Sequence, residues 1–209
     1  MKESKEREEE VSRPRAVLIE TRSQSAIIRF NRPAARNTLS AATLDELDNA
    51  LAELDSLPRI KAVIFTGSGD VFASGADIKE LMPLDSPSAR AFAERGQRLM
   101  QRIADSSCLT IAAVNGYCMG GGLDLALACR FRVATPASVF AHPGARLGII
   151  TGWGGTQRLP RLVGPTRALE MFLTARRVTS EEALEMGLID RLCDSALAGA
   201  LEIAESLVR

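Results

Sequence analysis

Two periods of hydrophobic spacing succeed one another along the chain, and the switches between them outline its elements. Ala16 to Glu20 and Ser25 to Phe30 are short β-rich runs separated by polar residues, a hairpin pattern closed by Asn31, Arg32 and Pro33. Leu44, Leu47, Leu51 and Leu54 then recur at helical spacing behind Ser40, a candidate N-cap, so this helix buries one face before Pro58 closes it. KAVIFT, Lys61 to Thr66, predicts a buried strand running into a glycine-bearing loop, GSGDVFASGADIKEL, and a short helix beginning near Asp77. MPLDSPS reads as a linker, and Ala89 to Asp105 as a helix with Phe92, Leu99 and Ile103 on its apolar stripe.

The same arrangement returns in IAAVNGYCMGGGLDLALACR, Ile111 to Arg130. Ile111 to Val114 is a strand, Asn115 and Gly116 break it, and Gly120 to Gly122 open an apolar helical segment through Leu127. The first amides of a helix lack partners within it and lie at the positive end of its dipole, so such a start suits an oxygen carrying negative charge. A tight turn with close helix packing uses the same glycines. No Gly-Lys-Ser/Thr follows and the spacing is not G-x-G-x-x-G, which excludes a phosphate loop and a dinucleotide fingerprint.

Further on, Phe131 to Ala134 and Val139 to Ala141 predict short strands, and HPGARLGIITGWGGTQRLP is a long glycine-rich loop leading into a basic helix start; loops of this length are usually functional, although some only cover a core edge. Thr166 to Ala175 and Ser180 to Met186 read as helices, Gly187 as a stop, Ile189 to Leu192 as a strand and Ser195 to Val208 as a last helix. Alternating strands and helices place the chain in the α/β class.

Composition narrows the function. With 209 residues, 46% of them hydrophobic, the chain supports one sizeable core. A charged, disordered stretch over 1–14 is expected to precede a core domain over 15–195, and 196–209 begins a C-terminal helical region. MKESKEREEEVSRPR has no apolar centre, so it is neither signal peptide nor anchor, and no apolar run approaches the roughly 20 residues of a membrane span. Lys plus Arg equals Asp plus Glu, 26 each, which removes the electrostatic case for nucleic acid or an anionic membrane as partner. Cys108, Cys118, Cys129 and Cys193 form no C-x-x-C pair and His142 is the sole histidine, so no metal site is expected. The cysteines read as reduced thiols of a cytoplasmic protein, with the mitochondrial matrix as an alternative.

Four blocks then stand out together: NRPAARNTLS, FTGSGDVFASGADIKEL, AAVNGYCMGGGLDLALACRFRVAT and LGIITGWGGTQRLPRLVG. In order and spacing, over roughly residues 15 to 195, they resemble the successive signature blocks of the crotonase, or enoyl-CoA hydratase/isomerase, superfamily. The resemblance implies a crotonase-like spiral of repeated β-β-α units, here with a shortened C-terminal helical region, assembled as a homotrimer or homohexamer. It implies an acyl-CoA thioester as partner, with coenzyme A as part of the substrate and no separate cofactor.

By position in those blocks, the amides of Ala76 and Gly121 correspond to the family's oxyanion hole. Asp124 corresponds to a catalytic carboxylate, and Arg36, Asp77, Ile78 and Lys79 join Ala76 and Gly121 in substrate binding. For Lys79 a solvated helix position is the alternative, and for Arg36 a surface salt bridge. The expected activity is reversible hydration of a 2-trans-enoyl-CoA through an enolate. Double-bond isomerisation with Asp124 as single base, or acyl-CoA binding without catalysis, are the alternatives.

Two departures bear on that expectation. Similar hydratases hold the reacting water with two glutamates; here the first is Asp124, one methylene shorter, and the second position falls on Gly144 in HPG. Pro143 before it and LG and GGTQRL after it fix the register, so that glutamate is absent rather than shifted. His142, two residues earlier, offers an acid or base near neutrality, and strand alternation leaves its direction open. Tyr117 and Trp153 read as packing residues. Family members also usually continue beyond the point corresponding to Arg209.

Overall fold

The structure, a computed structural model, describes residues 15–208; the expected disorder of 1–14 lies outside the described residues. β1 (Val17–Arg22) and β2 (Ser25–Phe30) form the predicted antiparallel hairpin. β2 then pairs in parallel with β3 (Ala62–Gly67), β3 with β5 (Leu109–Val114), β5 with β7 (Phe131–Ala134) and β7 with β10 (Arg191–Leu192), giving a six-stranded sheet ordered β1-β2-β3-β5-β7-β10. Parallel neighbours need long crossovers. These contain α1 (Ala41–Asp55) between β2 and β3, α2 (Ile78–Leu81) and α3 (Ser86–Ala104) between β3 and β5, and α4 (Gly121–Ala128) between β5 and β7.

The crossovers that leave β3, β5 and β7 each carry a short strand as well, and of these three only Val139 to Ala141 is legible in the sequence. β4 (Val71–Ala73), β6 (Tyr117–Met119) and β8 (Val139–Ala141) each follow a long strand of the first sheet and pair in parallel with one another. β9 (Val178–Thr179) joins antiparallel to complete a second sheet, β4-β6-β8-β9. The repeated unit is therefore long strand, turn, short strand, helix, which is the expected β-β-α spiral. β4 corrects the reading of the stretch ahead of the short helix near Asp77 as loop alone, and β6 occupies part of the expected glycine turn. Three residues are too few to show a period, and these strands form because their neighbours supply the ladder. The α3 helix likewise takes in part of the expected MPLDSPS linker, because Asp85 caps it by accepting from the Ser88 amide at 2.9 Å.

β3 is buried along its whole length because both faces of the parallel sheet are covered. Val63 and Phe65 face the main core with Leu44, Leu47, Met100 and Ile103 from α1 and α3. Ile64 faces the other way with Ile27, Ile111 and Val133, under Ala196, Ala200 and Ala204 of α8 (Ala196–Leu207). Those alanines leave helix and sheet in close contact. The remaining helices, α5 (Gly155–Val163), α6 (Pro165–Thr174) and α7 (Ser180–Glu185), follow the long glycine-rich loop.

Buried Asn37 fastens the NRPAARNTLS block to the turn after β3. Its amide donates to the carbonyls of Val71 at 2.7 Å and Ser68 at 3.1 Å, while its Oδ1 accepts from the Arg32 amide at 2.9 Å. The Leu39 amide donates to the Gly75 carbonyl at 2.8 Å, and the Ser74 amide to the Arg36 carbonyl at 3.2 Å. Two blocks about forty residues apart in the chain thus become one rim.

Candidate active site

Two helix starts meet at this rim. Asp77 caps α2 by accepting from the Lys79 amide at 3.0 Å, with Ala76 just ahead of it. Gly121 opens α4 behind Gly120, whose amide donates to the Ala141 carbonyl at 2.9 Å. Gly75 has φ 92°, and a Cβ placed on it would sit 2.9 Å from the Met119 carbonyl oxygen and 3.0 Å from the Gly121 nitrogen. Only glycine combines that backbone angle with that approach, which is what lets the two turns touch. Among the described residues, neither the Ala76 nor the Gly121 amide donates to a protein acceptor. The Trp153 indole lies against Gly121 and is itself buried, with its ring 5.5 Å from that of Phe92.

Asp124, in the first turn of α4, is fully buried. Its Oδ2 accepts from the Thr151 hydroxyl and from the Trp153 amide at 3.2 Å. Arg158 donates to the Trp153 carbonyl at 3.3 Å and to Gln101 Oε1 at 3.0 Å, anchoring that loop to α3. The other Asp124 oxygen, Oδ1, has no hydrogen-bond partner and lies 3.7 Å from His142 Nε2. His142 is also buried, neither ring nitrogen has a partner, and its ring tilts against Phe172 at 5.1 Å. The structure thus turns His142 toward Asp124.

Burial raises the Asp124 pKa to about 6 against the opposing hydrogen bonds from Thr151 and the Trp153 amide, and burial alone lowers His142 to about 4. The order of these values means that the two are not charged together. Near neutrality the site holds an ionised carboxylate beside a neutral imidazole.

Gly144 lies in the 3-10 turn Pro143–Leu147, where a Cβ would fall 2.6 Å from the Ile149 carbonyl oxygen. A side chain there requires the chain at Ile149 to move. Arg36, Ile78 and Lys79 are exposed along the rim beside Ala76, and the Asp77 carboxylate is engaged in its cap. Sequence reasoning did not identify Thr151, the Trp153 amide, Gly155 or Arg158 as parts of the site. Their only signal was membership in the long loop and the GGTQRL block. Among the described residues no group of His, Cys, Asp and Glu side chains could hold a metal ion, and no helix is long and apolar enough to cross a membrane.

A spiral of β-β-α units that brings two helix starts together beside a buried carboxylate is the architecture of the crotonase superfamily. The chain belongs to its enoyl-CoA hydratase/isomerase family, whose sequence model matches residues 20–209. It is 40% identical over 177 residues to a crotonyl-CoA hydratase of Syntrophomonas wolfei, covering 84% of this chain and 68% of that protein. It is 37% identical over 195 residues to a short-chain-enoyl-CoA hydratase of Clostridium acetobutylicum, covering 92% and 75%. Among solved structures, Pseudomonas aeruginosa DspI superposes with a TM-score of 0.89 at 36% identity, covering 95% of this chain and 82% of that one. An enoyl-CoA hydratase from Bacillus anthracis gives 0.88 at 36% identity, covering 92% and 76%.

Proposed function

We propose that this chain catalyses the reversible addition of water to a 2-trans-enoyl-CoA thioester. The observation that carries the reading is the contact of the Gly75–Ala76 turn with the Gly121 helix start, in the same helix as a buried carboxylate with a pKa of about 6. As water attacks the β-carbon, negative charge moves onto the thioester oxygen, where the Ala76 and Gly121 amides receive it. A donor fixed on charge that exists only in the transition state is worth on the order of 3 kcal/mol. Asp124, ionised near neutrality, takes the proton from water and returns it to the α-carbon, so one carboxylate completes the cycle. Exposed Arg36 and Lys79 supply positive charge at the rim for the phosphates of coenzyme A, and half-exposed Ile78 supplies apolar surface between them.

Similarity to proteins named crotonyl-CoA and short-chain-enoyl-CoA hydratase supports a short acyl chain. The glycine at 144 favours one second reading, double-bond isomerisation, which needs only a single shuttling base. Purified protein given crotonyl-CoA and a 3-enoyl-CoA in parallel separates the two. Hydration bleaches the conjugated thioester band, isomerisation of the 3-enoyl substrate creates it, and either rate should disappear in Asp124→Ala. The same slow rate with and without that carboxylate would leave acyl-CoA binding as the activity. Leu169 and Leu173, exposed one turn apart on α6, are apolar surface available for assembly as a trimer or hexamer. A monomer mass in light scattering would exclude that assembly.

A further inference from the structure

Three buried polar atoms at the centre of the site have no partner: Asp124 Oδ1 and both ring nitrogens of His142. Buried polar groups are almost always satisfied, so an orphaned cluster marks a place where a small polar molecule belongs. The 3.7 Å between Oδ1 and Nε2 is too long for a direct hydrogen bond, yet one water beside the line joining them reaches both at normal distances. The other carboxylate oxygen is already held by Thr151 and the Trp153 amide, which leaves Oδ1 as the free one. Gly155 fronts the pair: a Cβ there would collide with Asp124 Oδ1, lie 2.8 Å from Thr151 Cγ2 and come within 3.1 Å of His142 Cε1. Any side chain at 155 would occupy this space.

We propose that His142 is the second catalytic group of the hydration site, holding the reacting water jointly with Asp124 in place of the carboxylate missing at Gly144. This rests on the hydratase reading given above. The water oxygen bonds to the β-carbon while one O–H bond breaks and its proton passes to Asp124 Oδ1. The π electrons of the double bond shift to the thioester oxygen beside the Ala76 and Gly121 amides. The proton on Asp124 then passes to the α-carbon and the enolate electrons re-form the thioester carbonyl, so one water is added and both groups return to their starting state. His142 stays neutral and fixes the attacking lone pair. Its lower pKa assigns the transferred proton to the carboxylate. The Phe172 ring, 5.1 Å away, fixes the imidazole plane.

The test compares crotonyl-CoA hydration by the wild type, His142→Leu and His142→Gln, with calorimetric binding of butyryl-CoA as a check on the folded pocket. Leucine fills the volume without a polar atom, and glutamine can still hold a water. His142→Leu should lose kcat by on the order of 100-fold with KM and butyryl-CoA affinity within about threefold of wild type, and His142→Gln should regain about tenfold of that loss. A kcat for His142→Leu within about threefold of wild type overturns the inference and leaves the hydratase reading standing. Absence of hydration by the wild type overturns both. Should His142→Leu fail to fold, His142→Ala with added imidazole decides: a rate rising with imidazole supports the inference, and a flat rate overturns it.

Discussion

Replacing Asp124 by asparagine should make the protein more stable at pH 8 while removing its activity. The carboxyl group is fully buried, and burial raises its pKa from 3.8 to about 6. Between those values the folded protein retains a proton that the unfolded chain has released, so stability falls as pH rises through this window. Above pH 6 the whole cost of an ionised buried carboxylate is present, equivalent to about 3 kcal/mol. Asparagine carries no charge, and its side-chain oxygen can still accept from the Thr151 hydroxyl and the Trp153 amide. The variant should therefore exceed wild type at pH 8 by up to about 3 kcal/mol, and its advantage should shrink by about 1–2 kcal/mol at pH 5. Urea denaturation of both proteins at the two pH values measures the difference, with equal m-values required for the comparison. Titration of groups remote from Asp124 cancels between the two proteins. A stability gap that does not change with pH, or a wild type more stable than the variant at pH 8, would refute the claim that this carboxylate is strained by burial.

The same pKa sets the pH dependence of turnover. As base, Asp124 must be ionised, so kcat/KM should be level above pH 7 and fall tenfold per pH unit well below about 6. Thr151→Val removes a hydrogen bond that favours the ionised form, so the acidic limb in a pH–rate series should move upward. Gly155→Ala puts a methyl group onto Asp124 Oδ1 and Thr151 Cγ2. It should lower stability by about 1–3 kcal/mol, read as a drop in Tm, and suppress hydration; unchanged turnover would show that the space before the carboxylate is not used.

Much of this protein is determined by local sequence pattern. The leucines at 44, 47, 51 and 54 and the capping Ser40 specify α1 without tertiary help, and all four leucines are buried. The short apolar runs at 62–66 and 111–114, bounded by turn residues, specify two central strands, since strands covered on both faces read as near-continuous apolar runs. Strand, glycines and helix start also mark the two turns at 76 and 121 individually. That these turns touch depends on a sheet joining β3 to β5 and on Gly75 meeting residues 119–121. Pattern along the chain has no term for such a distance. The strands β4, β6 and β9 were invisible for the same reason, because two or three residues adopt extended structure only when a partner from elsewhere completes the ladder. The approach of His142, Thr151, Trp153 and Gly155 to Asp124 is likewise a product of packing between α4 and a loop some thirty residues later. Residue type showed that a carboxylate and an imidazole were available. Only the fold put them 3.7 Å apart and buried both, and that burial is what moves their pKa values to about 6 and about 4.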